Sequence, residues 1–143
     1  MIRNLSEHDI DEVMNIWLDA NQKAHSFIAN AYWIDNYSTV KTMITQAEVY
    51  VYECDNTKQI VGFIGLNDQF IAGIFVKAHA RSNGFGKQLL DYTKTIKSNL
   101  NLHVYAKNER AVAFYLREQF RIQDEQIEAV HHEKELLMTW KRT

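Results

Sequence analysis

Phe75-Val76-Lys77-Ala78-His79-Ala80-Arg81-Ser82-Asn83-Gly84-Phe85-Gly86-Lys87-Gln88-Leu89-Leu90 is the stretch on which the reading of this chain turns. It closes an apolar run, Phe70-Ile71-Ala72-Gly73-Ile74-Phe75-Val76, and passes through a short polar turn. Phe85, Leu89, Tyr92 and Ile96 then repeat at helical spacing and predict one buried helix face. Strand, glycine-bearing turn and helix together aim backbone N–H groups and the positive end of a helix dipole at an anion. Gly84 and Gly86 lack a Cβ, so a phosphate can come close to the main chain there. The stretch reads as a phosphate cradle.

Two common cradles do not fit. A Walker loop requires glycine where Arg81 stands and Ser or Thr where Gln88 stands. A dinucleotide fingerprint requires a small residue where Leu89 stands, and an acidic residue closing the next strand.

Upstream, Met1 to Leu5 reads as a short strand. Ser6-Glu7-His8-Asp9 resembles a helix-starting capping box, followed by the apolar stripe Ile10, Val13, Met14, Trp17 and Leu18, ending near Ala24. Trp33, Ile34, Tyr37, Val40 and Ile44 mark a second helix; the connector between the two, Lys23 to Asn30, is too apolar for a plain solvated loop. Val49 to Tyr52, Ile60 to Leu66 and Gln69 to Val76, separated by Asp55-Asn56-Thr57-Lys58 and Asn67-Asp68, read as an antiparallel meander. Downstream of the cradle helix come a strand at Leu102 to Ala106, a helix from about Asn108 to Arg117, and closing strands at Phe120 to Ile122 and Leu136 to Trp140. The order βααβββαβαββ predicts an α/β fold in which a mixed sheet carries helices on both faces.

The 143 residues suit one domain, 1–143, with a 46% hydrophobic share and a net charge of −2. That charge argues against a nucleic-acid partner. No apolar run is long enough to cross a membrane, and the N-terminus has no signal-peptide core. Cys54 is the sole cysteine, which excludes an intrachain disulfide and suits a cytoplasmic setting. The six histidines show no metal-ligand spacing, so no metal is expected.

A second motif follows the strand His103-Val104-Tyr105-Ala106: Asn108, Ala111, Phe114, Tyr115 and then Phe120. Arg81-x-x-Gly84-x-Gly86 after one strand, with this second pattern after the next, resembles the GNAT superfamily of N-acetyltransferases, and the resemblance spans the whole chain. It departs from the usual pattern at Ala78 (commonly Pro), Ser82 (commonly Gly) and Gln119 (commonly Gly).

The resemblance implies a GNAT-like fold with splayed central strands and acetyl-CoA as co-substrate. It implies that the backbone of Ser82, Asn83, Gly84, Phe85, Gly86 and Lys87 holds the pyrophosphate, with Arg81 and Lys87 adding charge. Ile74, Phe75 and Val76 are expected to pair with the pantetheine arm as an added strand. Asn108 is expected at the pantetheine amides, with Ala111 and Phe114 beside it. Tyr115 is expected near the sulfur as general acid, although by composition alone it reads as core. For the general base, His25 is the first candidate, with Glu53, His103 and a water relay as others. The Trp17, Trp33 and Tyr37 aromatics read as core or acceptor-pocket wall, and His131-His132 as a solvated loop.

The activity so implied is transfer of an acetyl group to a primary amine by direct attack in a ternary complex. The acceptor is a small molecule or a peptide amine, and the protein a monomer or homodimer. The alternatives are a protein lysine or N-terminal acetyltransferase, and a non-catalytic acyl-CoA-binding sensor or partner module.

Overall fold

The structure is a computed structural model describing residues 1–143. Strands β1 (Ile2–Asn4), β2 (Glu48–Glu53), β3 (Ile60–Asn67), β4 (Phe70–Val76), β5 (Asn99–Tyr105), β6 (Arg121–Ile127) and β7 (Lys134–Lys141) are joined through helices α1 (Ile10–Ala24), α2 (Asn30–Gln46), α3 (Phe85–Ile96) and α4 (Glu109–Arg117). This is the expected order. The seven strands form one sheet, β1-β2-β3-β4-β5-β7-β6. Every neighbouring pair is antiparallel except β4 and β5, which are parallel and joined at a single residue pair, Phe70 and Asn101.

Each face of the sheet has its own core. On one side Leu89 and Leu90 of α3, together with Tyr115 and Phe120, cover Ile64, Leu66, Leu100 and Leu102. On the other, Val13, Met14 and Trp17 of α1 and Trp33 and Ile44 of α2 cover Val49, Val51 and Phe63. The sheet residues alternate between the two, as the pleat requires. Truncating a fully buried member such as Leu89 to Ala would cost about 2–5 kcal/mol.

Packing revises two of the stripes read from sequence. On α3 the buried residues are Leu89, Leu90 and Thr93, whereas Tyr92 and Ile96 are exposed. Thr93 tolerates full burial because its Oγ1 donates to the Leu89 carbonyl at 2.9 Å. On α2, Ile34 is likewise exposed, and Trp33 and Ile44 form the contact. At the start of α1, the Ser6 N–H donates to Asp9 Oδ2 at 2.8 Å, and Arg3 grips both Asp9 oxygens at 2.7 and 3.0 Å. Phe120 lies just outside β6, not within it.

The end of α4 explains why Gln119 can stand where glycine is usual. The Phe120 N–H donates to the Tyr115 carbonyl at 3.0 Å and the Gln119 N–H to the Leu116 carbonyl at 3.2 Å. These two bonds make a Schellman stop, with Gln119 held at φ 75°, and the Tyr115 and Phe120 rings in contact supply its usual apolar clasp.

Candidate active site

The single β4–β5 pairing decides where the site lies. Beyond Phe70 the two strands diverge, and a cleft of about 780 Å³ opens between them. Its walls are the end of α1, the edge of β4, the turn into α3, and α4.

At the cleft mouth, Gly84 adopts φ +82° as the residue preceding α3. A Cβ there would meet nothing within 4 Å, so the left-handed backbone, not crowding within the fold, selects glycine. The first α3 amide to find a partner is that of Gln88, bonded to the Gly84 carbonyl at 3.0 Å. The N–H groups of Phe85, Gly86 and Lys87 therefore point out of the first turn toward an incoming acceptor. At Gly86 a Cβ would already touch Val76, Ile74 and Phe114 at 3.8–3.9 Å, so glycine leaves the floor of the cradle flush. These features fit a pyrophosphate.

Charge agrees with shape. Lys23, Arg81, Lys87, Lys107, Arg110 and Arg117 line the cleft with Glu109 and Glu118, and Asp19 and Glu133 pair with Lys23 and Lys107. Arg81, Arg110 and Arg117, without carboxylate partners, leave the cleft locally basic and suited to a polyanion. Arg110 donates to Ser82 Oγ at 3.3 Å, steadying the turn from α4. Arg110 and Arg117 went unread in the sequence because arginines on a short helix look like a solvated face. Their seven-residue spacing, which puts them on one side of α4, was the signal available.

Of the residues expected to hold the co-substrate, Ile74, Phe75, Val76, Arg81, Ser82, Gly84, Phe85, Gly86, Lys87, Asn108, Ala111, Phe114 and Tyr115 all line this cleft. Asn83 does not: it is exposed at the turn outside it. Lys87 is also less free than expected, being paired with Asp91 at 3.2 Å and Glu118 at 3.1 Å. Arg81 has no carboxylate partner.

His25 reaches the cleft from the α1–α2 connector. Its ring stacks on Trp33, 5.2 Å between centroids, and meets Phe27 and Tyr105 edge-on. This aromatic surround strips water from the imidazole and pushes its pKa below the ordinary histidine value. Tyr115 is 7% exposed, and burial pushes its phenol well above the usual tyrosine range, so it keeps its proton at neutral pH. Its ring is core as well as cleft wall, packed between Phe114 and Phe120.

The other base candidates are elsewhere. Glu53 is held by Arg3 at 3.0 Å, in the network that ties β1 to α1. His103 sits on the outer part of β5 beside Glu135 and Phe70. His131 is not solvated as expected: it is half-buried, bonded to Glu128 and packed edge-on against Tyr32. Trp17, Trp33 and Tyr37 form an edge-to-face cluster in the core, with Trp33 also backing His25.

The chain belongs to the GNAT acetyltransferases: residues 45–122 match the family described as "Acetyltransferase (GNAT) domain". It is an N-acetyltransferase, an enzyme that moves an acetyl group to an amine. It is 32% identical over 126 residues to the peptidyl-lysine N-acetyltransferase YiaC of Escherichia coli (strain K12), covering 87% of this chain and 85% of that one. The fold matches the apo form of YjaB from Escherichia coli with a TM-score of 0.86 at 22% identity, over 100% of this chain and 98% of that one. It also matches a Bacillus anthracis acetyltransferase in complex with acetyl coenzyme A, with a TM-score of 0.62 at 22% identity over 68% and 63% of the two chains.

Proposed function

We propose that residues 1–143 act as one catalytic domain that binds acetyl-CoA in the β4–β5 cleft and acetylates a primary amine by direct attack in a ternary complex. The observation that carries this reading is the open β4 edge leading straight to the free first turn of α3. The donor supplies an acetyl group activated as a thioester. Backbone groups of Ile74, Phe75 and Val76 align its pantetheine arm, and Asn108 addresses the arm's amides. The first turn of α3 and Arg81 hold the pyrophosphate, while Arg110 and Arg117 attract it from solution.

His25, neutral at physiological pH because it is desolvated, takes the proton that a protonated amine of pKa about 10 must lose. Tyr115, holding its proton, gives it to the departing sulfur. Peptidyl lysine, the acceptor named for the curated relatives, is one such primary amine. A cytoplasmic setting and a monomeric or homodimeric state belong to the same reading. No helix is long and apolar enough to cross a membrane.

A melting-temperature screen tests the donor, and thiol release over a panel of small amines and lysine peptides tests the acceptor. Acetyl-CoA stabilises the protein by mass action and ATP and NAD do so far less. Equal stabilisation by ATP or NAD reassigns the cleft. Binding of acetyl-CoA without thiol release on any amine favours the acyl-CoA sensor.

A further inference from the structure

A second cavity, of about 100 Å³, lies on the α1–α2 side of the sheet and is lined mainly by apolar residues, including Trp17, Val40, Ile44 and Phe63. Its origin is a cross-strand pair with no side chains: Gly65 of β3 stands opposite Gly73 of β4, and both line the hole. One residue lines both this cavity and the main cleft, and that residue is Phe75. Its ring folds back over Gly73, where an added Cβ would come within 2.4 Å of it, so only glycine at 73 lets it lie there. Phe63 supports it from the sheet, ring centroids 5.1 Å apart.

We propose that Phe75 is the partition that sets acyl-chain length, closing off an apolar cavity that otherwise accepts the tail of a longer acyl-CoA. The inference rests on the acetyl-CoA reading of the cleft. Along β4, Ile74 and Val76 face the α3 side, against Gly86, while Phe75 packs on the opposite side, against the α1–α2 core. A donor paired with this strand presents its acyl end to that ring. Behind the ring the cavity has room for about three groups of water or methylene size. Each added methylene in an apolar pocket changes discrimination by roughly 10–200-fold, so one aromatic ring is enough to fix a preference.

Binding of acetyl-, butyryl- and hexanoyl-CoA, measured by calorimetry on the full chain, tests this without a known acceptor. Wild type binds acetyl-CoA at least about tenfold tighter than hexanoyl-CoA, and Phe75→Ala brings the two within about threefold or reverses their order. Phe75→Leu, which opens less space and disturbs packing less, shifts the ratio in the same direction. Adding Gly65→Val refills the lower cavity and restores the wild-type preference; a Cβ on Gly65 meets only Ala72, at 3.9 Å. An unchanged chain-length ratio in Phe75→Ala and Phe75→Leu, with acetyl-CoA still bound, overturns the partition alone. Wild type that fails to bind acetyl-CoA at all overturns the acetyl-CoA reading, and this inference with it.

Discussion

His25 Nε2 stands 3.4 Å from the side-chain nitrogen of Asn108, across the cleft and 83 residues away in sequence. The Asn108 side-chain oxygen Oδ1 accepts the Ala111 N–H at 3.3 Å as the cap of α4. Its amide nitrogen is therefore the group turned to the imidazole. A donor facing Nε2 makes Nε2 the acceptor and assigns the ring proton to Nδ1, which is buried without a partner. One asparagine so caps a helix and sets a histidine tautomer.

This arrangement fixes the sign of a pH effect. His25 must be neutral to accept a proton, and burial lowers its pKa, so the acidic limb of kcat/KM lies below the ordinary histidine value of about 6.5. His25→Ala removes that limb and lowers the rate. Stability follows the same sign: the desolvation that disfavours charged His25 costs nothing above that value and weakens the fold as pH falls below it. A pH–rate curve that keeps its acidic limb in His25→Ala assigns the proton to a water relay.

Tyr115→Phe separates the two roles of that side chain. The ring that packs on Phe114 and Phe120 is kept, so the melting temperature and acetyl-CoA affinity stay near wild type. The lost hydroxyl acts only as charge develops on sulfur, so kcat falls by roughly 10²–10⁴-fold. Steady-state kinetics beside a donor titration reads both quantities; unchanged kcat leaves Tyr115 a core residue.

Gly84→Ala and Arg81→Ala distinguish backbone shape from charge at the cradle. Gly84→Ala forces an alanine to φ +82°, costing about 1–2 kcal/mol of stability, and crowds the place meant for phosphate. Most of the acetyl-CoA-induced rise in melting temperature goes with it. Arg81→Ala leaves apo stability within about 0.5 kcal/mol of wild type and weakens donor binding, more so at low salt. Donor binding unaffected by either change would place the pyrophosphate elsewhere.

Gln119→Gly is expected to stabilise the protein. The residue holds a left-handed conformation at the end of α4, and glycine relieves about 1 kcal/mol of strain there, raising Tm by about 4 °C. Gln119→Ala keeps the Cβ and gains nothing comparable. If the glycine and alanine variants melt together, the strain is not at this backbone.

Where structure is set by neighbours in sequence, the sequence was legible. The cradle and the Asn108 cap depend on a few adjacent residues, and both lie where local turn chemistry put them. The helix stripes were less so, because apolarity alone ranks Tyr92 and Ile96 above Thr93. Tyr92 packs at the rim against Tyr50, and Thr93 is buried because its hydroxyl is satisfied within its own helix. The basic lining and the pairing of His25 with Asn108 unite segments that are distant in sequence, and no local pattern announces such a meeting. The role of Phe75 as a divider depends on two glycines facing each other across strands.

The divergence of β4 from β5 has one more effect. A strand edge with unpaired backbone groups ordinarily invites another chain to add to it, the first step toward aggregation. Here the bare edge of β4 lies inside the cleft, between the end of α1 and α4, and not along the outer rim of the sheet. An extended molecule must enter the cleft to pair with it. The fold thereby keeps an adhesive edge in readiness while setting it back from the surface.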